Sequence, residues 1–189
     1  MGNVVDMWVE NPPLLDCYIV HTTPFIDHRG MFARFFCEKE LNTVLEDKHI
    51  VNVNFSYTKW MGSIRGMHYQ IPPYAEIKLV RCIKGKIFDV AIDIRSGSDT
   101  FLQWYGVELS AENMDMFVIP EGFAHGFQAL SNDVEILYLH TEFYAKGWEK
   151  GINYLDPKVN ITWPQNVVDV SEKDAAYPFI DDLFTGVKL

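Results

Sequence analysis

Apolar residues gather along this chain into short runs rich in Val, Ile, Phe and Tyr, and turn-forming residues separate the runs at intervals of roughly ten residues. The runs fall at residues 15–21, 32–36, 50–57, 63–69, 76–83, 86–94, 103–109, 115–119, 125–130 and 134–141. Between them stand turn signals at residues 27–30, 71–75, 84–86, 95–99, 120–122 and 131–133. This pattern predicts an all-β chain, folded as an antiparallel sandwich or barrel with a few short helices. Helical spacing shows at residues 38–47, where Leu41, Val44 and Leu45 share a face. Ser110 can cap a single turn over residues 110–115, and residues 171–184 open as a short helix that Pro178 limits. No repeat, low-complexity tract or Pro/Gly/Ser linker interrupts the chain. One domain over residues 1–189 is expected, with its core at about 15–165 and the C-terminal tail packing on it.

Alternation is clearest in residues 86–95. Phe88, Val90, Ile92 and Ile94 share one strand face, and Asp89, Ala91, Asp93 and Arg95 share the other. The apolar face is expected to line a core. The polar face is expected to meet water, a partner subunit or a site. Short antiparallel strands also leave exposed edges, which barrel closure or pairing across a homodimer would cover; a homodimer is expected.

Composition narrows the function. The chain is 48% hydrophobic and 14% aromatic, enough for a substantial core. Sixteen basic against 26 acidic residues give a formal charge of −10, which disfavours general nucleic-acid binding. Cys17, Cys37 and Cys82 are odd in number and widely spaced, against a disulfide framework or a zinc site and in keeping with a reducing cytoplasm. The first twenty residues lack a signal-peptide pattern, and Asp6 stands where a myristoylation motif needs Ser or Thr. No apolar run reaches membrane-spanning length, so no membrane partner is expected.

Against that background, charged groups inside apolar runs stand out. His68 and Gln70 share a strand face with Gly66, and Lys78 shares its face with Val80 and Cys82. If both strands line one cavity, the imidazole can remove a proton beside a carbonyl and the ammonium can stabilise the resulting enolate oxygen. Each residue alone also reads as a satisfied core histidine or a snorkelling surface lysine. Residues 119–131, Ile-Pro-Glu-Gly-Phe-Ala-His-Gly-Phe-Gln-Ala-Leu-Ser, hold half of the cupin metal signature. The other half needs a second histidine where this chain has Gln70, a poor ligand for zinc or iron, so no metal is expected. His125 then reads as a structural or substrate-contacting residue.

Residues 135–157 offer Tyr138, His140, Tyr144 and Asp156. A tyrosine on the face opposite the base can return a proton, and a carboxylate bonded to the base histidine fixes its tautomer. Taken alone, Tyr138 is a core aromatic and Asp156 a turn former. Arg29, Arg65 and Arg81 are candidate anion clamps or surface ion-pair partners.

Taken in order, several stretches form a set. They are FxDxRGxF at 25–32, IRGMHYQ at 64–70, KLVRCIKGKIFDVAIDIR at 78–95 and GVELSAEN at 106–113. IPEGFAHGFQALS at 119–131, GINYLDP at 151–157 and ITWP at 161–164 follow. The chain closely resembles the dTDP-4-dehydrorhamnose 3,5-epimerase family, metal-independent cupins, over roughly residues 15–180. The resemblance implies a jelly-roll homodimer that epimerises a nucleotide-diphosphate-linked 4-keto-6-deoxy sugar at C3, C5 or both, without a cofactor. By position it implies His68 as general base, Asp156 as its dyad partner, Tyr138 as the opposite-face acid and Lys78 as the enolate stabiliser. It implies that Arg65 and Arg29 hold the diphosphate, one of them across the dimer. It implies that Asn54 and Gln70 make polar substrate contacts and that Tyr144 is an aromatic near the base or sugar, with His125 kept beside them as a candidate substrate contact.

Two stretches depart from the family's pattern. Residues 51–66 differ from QDNxSxSxxxVLRG, with Asn52 in place of Gln and one residue added, and residues 137–144 read LYLHTEFY against YKxTxxY. These leave the nucleotide, the sugar and the stereochemical outcome open. A 3,4-ketoisomerase of the same fold, a non-catalytic sugar-nucleotide-binding cupin and a metal dioxygenase are the alternatives; Gln70 disfavours the last.

Overall fold

In the computed structural model, which describes residues 6–14 and 16–189, the short apolar runs pair into two facing sheets. Leu15, the first residue of the expected strand 15–21, and residues 1–5 of the stretch read for a signal peptide lie outside the described residues. The chain runs through β1 (Asp6–Glu10), β2 (Tyr18–Thr23), β3 (Phe25–Asp27), β4 (Gly30–Phe32) and α1 (Glu38–Leu45). It continues as β5 (Asn52–Thr58), β6 (Ser63–Gln70), β7 (Lys78–Lys84), β8 (Lys86–Asp93), β9 (Trp104–Ser110) and β10 (Met116–Ile119). The last elements are β11 (Phe123–Ala129), β12 (Val134–His140), β13 (Glu149–Gly151), β14 (Asp169–Val170) and α2 (Glu172–Ala175). One sheet has the order β1-β2-β10-β7-β12-β5 and the other β13-β6-β11-β8-β9, with β14 running parallel beside β6. This is a cupin jelly roll. Among the described residues no helix is long and apolar enough to cross a membrane.

Three apolar layers hold it together. Val80, Cys82, Ala91, Phe117, Phe127 and Ile136 meet between the sheets. Outside the first sheet, Leu41, Val44 and Leu45 of α1 cover Val20, Leu79, Met116 and Val118. Outside the second, Ile152, Val159, Ile180 and Val187 of the C-terminal segment cover Met67, Val90, Ile92 and Ile94. Each Val, Leu, Ile, Phe or Met among them contributes roughly 1.5–3 kcal/mol when fully buried. The tail therefore changes the reading of β8. Its apolar face packs under the tail, and its Asp89–Ala91 face turns into the interior, so Asp89 and Asp93 are both fully buried.

Residues 32–36 do not form the expected strand. Asp27 accepts the Arg29 backbone N–H at 2.8 Å and closes a β3–β4 hairpin instead, with Phe25 opposite Phe32. Beyond it, Phe35 lies over Arg81 at 4.4 Å and Phe36 packs beside α1, so the run seats the helix. Ser110 and Asn113 exchange side-chain and backbone bonds at 3.0 Å, which gives the single turn and no helix.

One irregularity governs the interior. β6 pairs β11 with His68 opposite His125 and then Arg65 opposite Phe127, so β6 carries one residue more than its partner. The bulge needs glycine: Gly66 has φ +130°, and a Cβ there would lie 2.5 Å from the Gly126 Cα. Gly66→Ala is therefore expected to destabilise the fold by on the order of 3 kcal/mol, lowering the melting temperature by about 5–10 °C. Thermal unfolding checks this, and an unchanged midpoint would contradict the packing described.

Candidate functional site

The bulge decides which side chains face the interior of the jelly roll. Strict alternation would put Arg65 and His68 on opposite faces of β6. The extra residue turns both into one cavity of about 430 Å³, together with Gln70. Lys78 opens β7 and stands directly opposite His140 of β12, while Tyr138 stands opposite Asn54 of β5. Lys78, Tyr138, His125, Asn54 and Tyr144 line the same cavity.

Asp156 does not meet His68. Its carboxylate accepts the backbone N–H groups of Lys158 at 2.8 Å, Val159 at 3.2 Å and Ile180, pinning the tail to the loop after β13. It is the turn former that its residues alone suggested. The carboxylate on His68 is Asp174: Nε2 donates to Asp174 Oδ1 at 2.8 Å, and the Gly66 N–H donates to Oδ2 at 3.1 Å. Ser171 caps α2 by accepting the Asp174 N–H, and β14 holds this turn parallel to β6. Burial would raise the Asp174 carboxyl, but the bond and charge of His68 and the Gly66 N–H outweigh it and hold it below its ordinary value. An ionised acceptor on Nε2 assigns the proton there and leaves Nδ1 of His68 with its lone pair.

Arg29 also lies elsewhere. It sits on the β3–β4 hairpin, paired with Asp27 at 2.6 Å, and lines none of this cavity. Arg81 is buried on the outer face of the first sheet beneath Phe35, bonded to Thr22 at 2.9 Å; burial lowers it to about 10. Gln70 lines the cavity but gives its amide to backbone, donating to Tyr74 and Phe143 carbonyls and accepting the Ala145 N–H. His125 is closed off in the same sense. Its Nε2 donates to buried Asp89 at 2.8 Å, and burial lowers its pKa despite that carboxylate.

Tyr138 Oη shares a hydrogen bond with Ser56 Oγ at 3.0 Å, and burial pushes the phenol well above its ordinary value, so it carries its proton at neutral pH. Two further residues fill the wall beside Lys78. Glu76 places Oε1 3.5 Å from the Lys78 ammonium and accepts from His140 Nδ1 on Oε2 at 2.7 Å. Burial would raise Glu76, but Lys78 and His140 outweigh it and hold it low. Sequence reasoning missed Asp174 and Glu76. The Ser-x-x-Asp spacing at 171–174 and the shared parity of residues 76 and 78 were the available signals. Among the described residues no cluster of His, Cys, Asp and Glu is arranged to hold a metal.

With this geometry in hand, known proteins offer a comparison. A profile of the dTDP-4-dehydrorhamnose 3,5-epimerase family matches residues 11–182. A dTDP-4-dehydrorhamnose 3,5-epimerase of Shigella flexneri is 46% identical over 160 residues, 84% of this chain and 88% of that one. A Legionella pneumophila 3,5-epimerase solved with dTDP-4-keto-L-rhamnose superposes with a TM-score of 0.89 at 40% identity, covering 96% of this chain and 98% of its own. A Bacillus anthracis dTDP-4-dehydrorhamnose 3,5-epimerase with TDP and PPi bound gives a TM-score of 0.89 at 35% identity, covering 93% of this chain and 100% of its own.

The depressed carboxyls have a consequence for folding. A carboxyl held low in the folded state contributes stability that is complete above its unfolded value of about 4 and is lost as pH falls through the lower folded value. The urea midpoint should therefore drop between about pH 5 and about pH 3, and less steeply in Asp174→Asn, with Glu76 and Asp93 contributing alongside it. Equal slopes in the two proteins would exclude Asp174 from that balance.

Proposed function

The chain belongs to the dTDP-4-dehydrorhamnose 3,5-epimerase family, and from that premise we propose that it epimerises a dTDP-linked 4-keto-6-deoxy sugar at C3, C5 or both. The observation that carries this reading is the convergence of His68, Lys78 and Tyr138 on one cavity, with Asp174 fixing the histidine. The C4 ketone acidifies the neighbouring C–H bonds. His68 Nδ1 takes the proton, and the C–H electron pair moves onto the C4 oxygen, where the Lys78 ammonium stabilises the enolate. Asp174 stabilises the imidazolium that forms. The Tyr138 hydroxyl delivers a proton to the opposite face. Turnover leaves a protonated imidazole and a phenolate, which solvent returns to their starting forms. No electrons leave the substrate, so no redox cofactor is required.

Arg65 faces the cavity and suits the diphosphate. Arg29 suits the same charge on a second copy of the chain. Support for a homodimer comes from the hairpin itself, which carries Arg29 away from its own cavity and leaves Ile26, Met31 and Phe32 exposed. Cysteines 17, 37 and 82 are free thiols, which suits the cytoplasm.

Turnover in deuterated water tests the reading. Deuterium should enter at C3 or C5 with the ketone still at C4; a ketone at C3 would point to the isomerase instead. His68→Ala should abolish exchange while leaving dTDP affinity within about threefold, and Asp174→Asn should lower kcat by about 10²–10⁴-fold. Tyr138→Phe should still exchange protons without inverting the carbon, and full epimerisation by that variant would refute its role. Mixing inactive His68→Ala with weakly binding Arg29→Ala should regenerate activity if the arginine serves a neighbouring copy.

A further inference from the structure

Lys78 is the group asked to receive the enolate oxygen, yet a carboxylate stands beside it. Glu76 and Lys78 lie two residues apart and face the same way, and the side chains of Glu76, Lys78 and His140 are each only 12% exposed. A carboxylate in full contact would take one of the ammonium's three N–H donors and turn the group towards itself and away from the substrate oxygen, since charge-assisted N–H···O bonds close to about 2.7–2.9 Å. The separation here is 3.5 Å, and Glu76 makes its close contact elsewhere, with His140 Nδ1 at 2.7 Å. His140 is held in turn: Asn54 Nδ2 lies 3.3 Å from its Nε2, and its ring stacks beside Tyr138 with centroids 6.3 Å apart. An amide donor on Nε2 and a carboxylate on Nδ1 fix one orientation of the imidazole, with Nδ1 donating.

We propose that His140 is a positioning residue for the reaction: by tethering the Glu76 carboxylate it leaves the Lys78 ammonium free to donate to the substrate's C4 oxygen. This rests on the epimerase reading and adds to it a residue that acts only through two others.

The prediction is a rate effect with an unusual sign. In His140→Phe the ring shape remains but the tether is gone, so Glu76 closes on Lys78. We expect kcat to fall about tenfold or more, equivalent to about 1.4 kcal/mol or more, with dTDP affinity within about threefold. Adding Glu76→Gln to His140→Phe removes the quenching charge and should recover at least about threefold of the lost rate. His140→Gln, whose amide can still donate to Glu76, should retain more activity than His140→Phe and serves if the latter fails to fold. A structural role alone would make the two losses multiply. Multiplying losses, or a His140→Phe enzyme at wild-type kcat, overturns the proposal. A wild type that exchanges no protons with the dTDP-4-keto-6-deoxy sugar removes the epimerase reading and this inference together, whereas an active wild type with an equally active His140→Phe removes only the inference.

Discussion

The fold and the chemistry meet at the carboxylate of Asp174. An extra residue in β6 leaves the Gly66 N–H without a strand partner, and a buried amide without a partner is costly. Asp174 satisfies it with one oxygen and holds His68 with the other. A carboxylate only 5% exposed would itself be costly were both oxygens not bonded. The bulge, the docking of the tail and the orientation of the base are thus mutually dependent. The tail is fixed independently on either side, by β14 beside β6 and by Asn153, which donates to the Ala175 and Tyr177 carbonyls. Asp156 belongs to this anchoring set. Its place is one step removed from the base, since it holds the chain that carries Asp174.

Two histidines face each other across β6 and β11, and their surroundings separate their roles. His68 is partly open to the cavity and bonded through one nitrogen, so the other is available for proton transfer. His125 is enclosed against Asp89, and burial favours its neutral form. Burial likewise keeps the Tyr138 phenol protonated, the state that its proposed role as acid requires. The same desolvation that raises the phenol lowers the second imidazole, so burial acts on Tyr138 and His125 in the same way, favouring the neutral form of each.

Much of the architecture was legible because period-two patterning and turn residues act locally. β6, β7, β8, β11 and β12 fall within a residue or two of the apolar runs, and α1 falls on the residues with helical spacing. β3 and β4 were hidden because the apolar run from Phe32 reads as a strand until Asp27 closes the hairpin in front of it. The faces of β8 were hidden because the layer over its apolar side comes from the distant tail. The site followed the same division. His68, Lys78 and Tyr138 sit on strands whose parity can be read. Arg65 reaches the cavity through a bulge, and Asp174 lies 106 residues from its partner, a separation that no local pattern encodes.

β5 ties the remaining features together. Its even positions, Asn52, Asn54 and Ser56, line the cavity; its odd positions, Val53, Phe55 and Tyr57, stand 58%, 57% and 43% exposed on the outside. An edge strand with an apolar outer face is open to pairing or covering. Whatever covers that face presses on the strand that positions Asn54, and through Asn54 on His140 and Glu76. In the proposed dimer the second copy would then supply more than Arg29. By ordering β5 it would set the wall against which Lys78 is held, making the proposed enolate-stabilising charge sensitive to assembly even though Glu76, His140 and Asn54 belong to the same chain as Lys78.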